Sequence, residues 1–208
     1  MRTASTRRAR AMPLGALALG FLAVLLACVF GGCRSREADL PKYGSVSPFE
    51  FLDQSGKSYS STQLQGTAWV GAFFFTRCPT ICPKITARMQ ALQRYGTERH
   101  IDFKLVSFSI DPDFDTPTVL DQYARRYAVD SERWRLLTGN SDRMKQLSEG
   151  TFRLAMSGRP NPNADHLGMI HSGHLVLVDR EGILRGYYRS SDDDAMQKLE
   201  RDLARIAQ

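Results

Sequence analysis

Ala68-Trp69-Val70-Gly71-Ala72-Phe73-Phe74-Phe75 runs directly into Thr76-Arg77-Cys78-Pro79-Thr80-Ile81-Cys82-Pro83. The first part is apolar at odd and even positions alike, which predicts a central strand covered on both faces. Ile85, Met89, Leu92 and Tyr95 then fall at helical spacing, so a helix is expected to begin near Cys82. Two cysteines therefore lie between the end of a buried strand and the start of a helix.

Working outward, Phe103–Ile110 predicts a second buried strand, followed by the loop Asp111–Pro117 and a helix marked by Val119, Tyr123 and Tyr127. A short helix is expected over 141–149. Residues 153–170, rich in Gly, Pro and Asn, form a loop of a length that is usually functional. Leu175–Val178, the turn Asp179–Gly182 and Ile183–Tyr188 form a hairpin, and Asp192-Asp193-Asp194 opens a last helix to about Ile206. On the N-terminal side, Phe49, Phe51 and the turn Asp53–Gly56 suggest another hairpin. This order predicts an α/β, thioredoxin-like fold: a central mixed sheet flanked by helices, with an N-terminal hairpin.

Residues 1–33 contain Arg2, Arg7, Arg8 and Arg10 and no acidic residue. Formal net charge is +6, and setting these four arginines apart leaves +2 for the rest. No later basic stripe interleaves with aromatics, which argues against nucleic-acid binding. The arginines precede an apolar run from Leu14 to Phe30, the pattern of a secretory signal. That run also approaches the ~20 residues of a spanning helix. Leu25-Leu26-Ala27-Cys28 and Phe30-Gly31-Gly32-Cys33 both resemble a bacterial lipobox, whose cysteine is lipidated. Cys33 is preferred because polar Arg34-Ser35-Arg36-Glu37 follows it. Cys28 and an uncleaved helix are the alternatives. Each reading places the domain on the extracytoplasmic, periplasmic side of the cell membrane, with residues 34–47 as a flexible tether and 48–208 as the folded domain.

Cys78 and Cys82 are the only cysteines of that domain, and an even pair in an oxidising compartment is a disulfide candidate. A helix start favours thiolates, and Arg77 adds a cation, so the pair is expected to be more acidic than an ordinary cysteine. Positions four apart on a helix place their Cβ atoms ~5–6 Å apart, against ~3.5–4.5 Å for a disulfide. The wider gap suits a bridging metal with bonds of ~2.3 Å. Cys78 precedes the helix and can still close on Cys82, so both chemistries stay open, with metal favoured. Two thiolates suit Cu(I), and an added imidazole suits Cu(I) or Cu(II); structural zinc would want four closed ligands.

Among the histidines, His100 is expected in solvent and His166 in the long loop. His171 and His174 flank the start of a strand, where their odd separation puts them on opposite faces. Asp115 or Thr116 is the expected cap of the helix ahead of Val119, and Asp111, Asp165 and His174 are outer-shell candidates around a metal.

Phe75–Pro83, Ser107–Pro117, Leu137-Thr138-Gly139 and Ile170–His174 ahead of Leu175–Gly182 together resemble the Sco (SenC-like) copper chaperones, from about Phe49 to the C-terminus. In that family the ligand histidine stands eleven residues before the glycine of the hairpin turn; Gly182 thereby selects His171 over His174. The resemblance implies a thioredoxin-like fold and copper held by Cys78, Cys82 and His171. It also implies a part in building the copper centre of cytochrome c oxidase, with thiol–disulfide exchange by the cysteine pair as a companion or alternative activity. Thioredoxin-like reductases keep a cis-proline ahead of the strand corresponding to 174–178; this chain has no proline between Pro162 and that strand, and has His171 instead.

Overall fold

A computed structural model describes residues 40–154, 156–157, 170–171 and 173–208. The N-terminal hairpin is present as β1 (Glu50–Asp53) and β2 (Ser58–Ser60), turning through Gly56 at φ 77°. The central strand follows as β3 (Trp69–Phe74), then α1 (Cys82–Arg99), β4 (Lys104–Ser109) and α2 (Pro117–Arg126). Next come β5 (Trp134–Thr138), α3 (Ser141–Gln146) and a π-helical turn, Leu147–Thr151. The chain ends with β6 (Met156–Ser157), β7 (Ile170–His171), β8 (His174–Val178), β9 (Leu184–Arg189) and α4 (Asp193–Ile206).

Among the described residues, seven strands form one sheet in the order β2-β1-β5-β4-β3-β8-β9. β3, β4 and β5 run parallel, whereas β1, β8 and β9 join antiparallel. This is the expected mixed sheet of a thioredoxin-like fold. Every residue of β3 is buried, as its apolar run on both faces requires. Beneath the sheet, Phe73 stacks on Phe108 at 5.2 Å, while Phe49 and Phe152 meet Phe108 at 5.3 and 6.1 Å. Such offset and edge-on pairs add to the free energy of burying the rings.

β5 has no counterpart in the sequence reading. It is short and half-polar, and its place comes from partners far along the chain: Trp134 Nε1 donates to Ser107 Oγ at 2.9 Å, and Arg135 reaches Asp53 at 3.2 Å. The long loop is bracketed by a two-stranded ribbon, Met156 opposite His171 and Ser157 opposite Ile170. Thr116, the residue before Pro117, caps α2 by accepting from Val119 N, and Asp192 caps α4.

The segment read as a tether is held to the domain over its second half. Tyr43 N donates to Leu184 O, Leu184 N to Gly44 O and Val46 N to Gly182 O, each at 2.9 Å. Buried Arg185 donates to Leu40 O at 2.7 Å and to Asp179 at 3.0 Å. The domain therefore begins by Leu40. Cys28, Cys33 and the run Leu14–Phe30 lie outside the described residues, among which no helix is long and apolar enough to cross a membrane.

Candidate metal centre

β3 ends at Phe74, and the chain turns at once: Cys78 N donates back to Phe75 O at 3.3 Å. α1 then opens on Cys82, with Pro83 in its first turn, where a missing N–H costs nothing. The turn and the helix start bring the two cysteines together. Cys82 N donates to Cys78 Sγ at 3.5 Å, and the two are not joined in a disulfide. Thr80 Oγ1 lies 3.7 Å from Cys78 Sγ.

The pair is less exposed than its position at a helix start suggested. Cys78 is 7% and Cys82 1% exposed. The expected acidification is not realised at Cys82. Burial pushes its thiol well above the ordinary cysteine range, and the hydrogen bond with Cys78 adds to this; a backbone hydrogen bond from Phe75 only partly offsets them. Low dielectric thus outweighs the helix start. A soft cation bound between the sulfurs would supply the charge that burial denies, displacing the proton as it binds.

The cation beside the pair is also engaged elsewhere. Arg77 Nε donates to Asp111 at 2.5 Å, and its guanidinium lies 4.6 Å over the ring of Phe114, which is exposed. Asp111 is fully buried, and its second oxygen has no hydrogen-bond partner. Asp115, equally buried, is saturated: Thr76 donates to it through both N–H and hydroxyl, and Ser109 Oγ donates at 2.6 Å. Burial raises its carboxyl above the ordinary value of 3.8, with those hydrogen bonds pulling the other way and the Asp111 charge reinforcing the rise. Of the expected cap pair, Thr116 is the cap and Asp115 the tie to the cysteine loop. Thr76 and Ser109 were not singled out from the sequence; their place one residue from the cysteine loop and at the end of β4 is the only signal they carry.

His171 and His174 belong to different strands, β7 and β8, which lie in different sheets. Strand alternation does not carry across that break, so it does not relate the faces of the two residues. His174 is half-buried, and its imidazole pKa is lowered, chiefly by burial and then by the Arg189 charge. Gly173 links the two strands and carries the positional information. A Cβ there would collide with the Ile81 side chain, and Gly173 O accepts from Ser190 N at 2.8 Å. The backbone two residues after His171 thus presses on the residue next to Cys82. A lone glycine ahead of a strand signals this kind of close approach. Among the described residues, no three His, Cys, Asp or Glu side chains converge as a ready-made metal cluster. Asp165 lies outside the described residues, and His100 is exposed at the end of α1.

Comparison with known proteins matches residues 38–208 to the SCO1/SenC family model. A SCO1/SenC family lipoprotein from Bacillus anthracis is 32% identical, with a TM-score of 0.72 over 79% of this chain and 95% of that one. BsSco, described as a member of the Sco family of cytochrome c oxidase assembly proteins and as having a disulfide switch, is 30% identical, with a TM-score of 0.71 over 83% of this chain and 98% of its own. Yeast Sco1, solved with copper bound, is 26% identical, with a TM-score of 0.62 over 77% of this chain and 88% of that protein.

Proposed function

The chain belongs to the SCO1/SenC family, and from that premise we propose that it is a copper metallochaperone. It binds one copper ion through Cys78, Cys82 and His171 and delivers it toward the copper centre of cytochrome c oxidase. A family role of copper binding in cytochrome c oxidase assembly underlies the reading, as do the copper-bound yeast relative and the family described for BsSco. The observation that carries it is the juxtaposition at Gly173: two cysteines brought together as Cys82 N donates to Cys78 Sγ at 3.5 Å, with the β7–β8 junction packed on the loop between them. Two sulfurs and an imidazole are a donor set for Cu(I), and they tolerate Cu(II). The copper is cargo, so the site must also let go. Three ligands on the ends of two loops leave room for a partner's thiolates to displace them one at a time.

A second reading, thiol–disulfide exchange that keeps a partner's cysteines reduced, is favoured by the same two thiols and by the disulfide switch described for BsSco. The N-terminal segment then holds the domain at the extracytoplasmic face of the membrane, through a lipid on Cys33 (or Cys28) or through an uncleaved helix; the lipoprotein relative supports the lipid.

One experiment separates the two activities. Cys78→Ser or Cys82→Ser should abolish both copper binding and disulfide exchange. His171→Ala should cripple oxidase assembly at ordinary copper yet spare exchange with a model disulfide, and excess copper should restore oxidase activity by mass action. Full oxidase activity of His171→Ala without added copper would reject the chaperone reading in favour of the reductase.

A further inference from the structure

Resting on the reading of the N-terminal segment as a membrane anchor, we propose that Tyr43 and Tyr187, with Lys42 and Arg153, form the face by which the domain lies on the lipid surface.

From Leu40 onward the chain is held to the domain. Leu40 is fixed through its carbonyl to buried Arg185, itself paired with buried Asp179, and Tyr43 and Gly44 pair with Leu184. Only Arg34–Asp39 separate Cys33 from Leu40. Fully extended, that span reaches about 25 Å, and a span starting at Phe30 about 35 Å. A domain of this length is roughly 40 Å across. The leash is therefore shorter than the body it holds, and the surface around Leu40 is the one kept nearest the lipid.

That surface has the composition a bilayer boundary selects. Tyr43 is 43% exposed, among the most exposed large apolar side chains of the described residues. Its ring meets Tyr187 edge-on at 5.2 Å, so the two present one amphipathic aromatic patch rather than two isolated rings. Lys42 and Arg153 are exposed, and the Arg153 charge bears on the Tyr187 phenol. Tyrosine is enriched at membrane interfaces, where its ring and hydroxyl match the two sides of the boundary. Basic side chains add attraction to anionic headgroups. The strut Leu40–Val46 gives this patch a fixed place on the domain.

The test uses the full chain in nanodiscs made of equal phosphatidylethanolamine and phosphatidylglycerol, with tyrosine replaced by 3-fluorotyrosine and a nitroxide on a fraction of headgroups. Resonances are assigned by single Tyr→Phe substitutions. The Tyr43 and Tyr187 signals should be lost to paramagnetic broadening, whereas Tyr127, just past α2 on the β5 side of the sheet, keeps its signal. Lys42→Glu with Arg153→Glu should restore both lost signals while the chain stays in the disc. Intact Tyr43 and Tyr187 signals in a chain that is in the disc would overturn the docking face and leave the anchor standing. Broadening that persists in the double variant would do the same, by assigning it to leash length alone. A chain that does not enter discs or membranes would overturn the anchor reading and the proposal together.

Discussion

The loops that follow β3 and β4 leave the same end of the sheet side by side, and they are built in opposite ways. Contacts within the cysteine loop run largely through sulfur: Cys82 N donates to Cys78 Sγ at 3.5 Å and Thr80 Oγ1 lies 3.7 Å from it, beside the 3.3 Å turn bond from Cys78 N. The aspartate loop is dense. Phe114 N and Asp115 N both donate to Asp111 O, Asp111 N donates to Ser109 Oγ, and Ser109 donates to Asp115. It then reaches across to grip Thr76 and Arg77, the two residues before Cys78. The carboxylate loop thus positions the thiol loop through the two residues ahead of Cys78. The approach to the sulfurs is fixed from the side.

Removing the stronger grip should have the largest effect. Asp115→Ala leaves the Thr76 N–H, the Thr76 hydroxyl and the Ser109 hydroxyl without their acceptor. We expect a loss of about 3 kcal/mol in denaturant unfolding and weaker copper binding. An unchanged unfolding midpoint would reduce the aspartate loop to a bystander. Asp115→Asn sharpens the point through pH. The Asp115 carboxyl is raised in the folded state, so the folded protein holds its proton more tightly than the unfolded chain does. Its contribution to stability is therefore present below the ordinary value of 3.8 and is lost as pH rises toward the folded value. Asp115→Asn lacks that loss, and its stability relative to wild type should improve as pH rises through this window.

Arg77→Gln comes next. It strips fully buried Asp111 of its cation, which should cost about 2 kcal/mol, less than breaking a wholly buried pair because Arg77 is partly exposed. Copper stoichiometry should stay at one per chain, measured by metal analysis after dialysis. Loss of copper would mean that Arg77 acts on the sulfurs rather than on Asp111. Thr116→Ala is the smallest change: about 1 kcal/mol from the lost cap of α2, with copper affinity unaltered. A copper defect there would erase the distinction between holding the loop and holding the helix.

Much of this was legible before any coordinates, for reasons that differ by element. β3, α1 and the β8–β9 hairpin announce themselves because their periodicity and turn residues agree with their burial. The cysteine pair is legible as chemistry, since residue type and spacing alone limit what two thiols can do. Three things were not. β5 depends on Ser107 and on Asp53, more than eighty positions from Arg135, and no local pattern encodes such partners. Arg77 stands next to Cys78 in sequence, yet its side chain reaches to Asp111; adjacency along a chain does not fix direction in space. The depth of Cys82 follows from everything packed around it, which is why low dielectric overrode the helix start that sequence position favoured.

The seam between β1 and β5 has a consequence for how the chain is assembled. Leu52 opposes Thr138, and the Gln54 side chain closes the join by accepting from Leu136 N at 3.0 Å. Synthesis delivers the β1–β2 hairpin long before β5 exists to receive it. Phe49 and Phe51 gain Phe108 only when β4 is made, and the strand edge of β1 stands open until β5 follows. Contacts this distant in sequence slow folding and prolong exposure of sticky surface. The first strands made are secured only when the middle of the chain follows, so β5, not the beginning of the chain, sets when their edge is safe from aggregation.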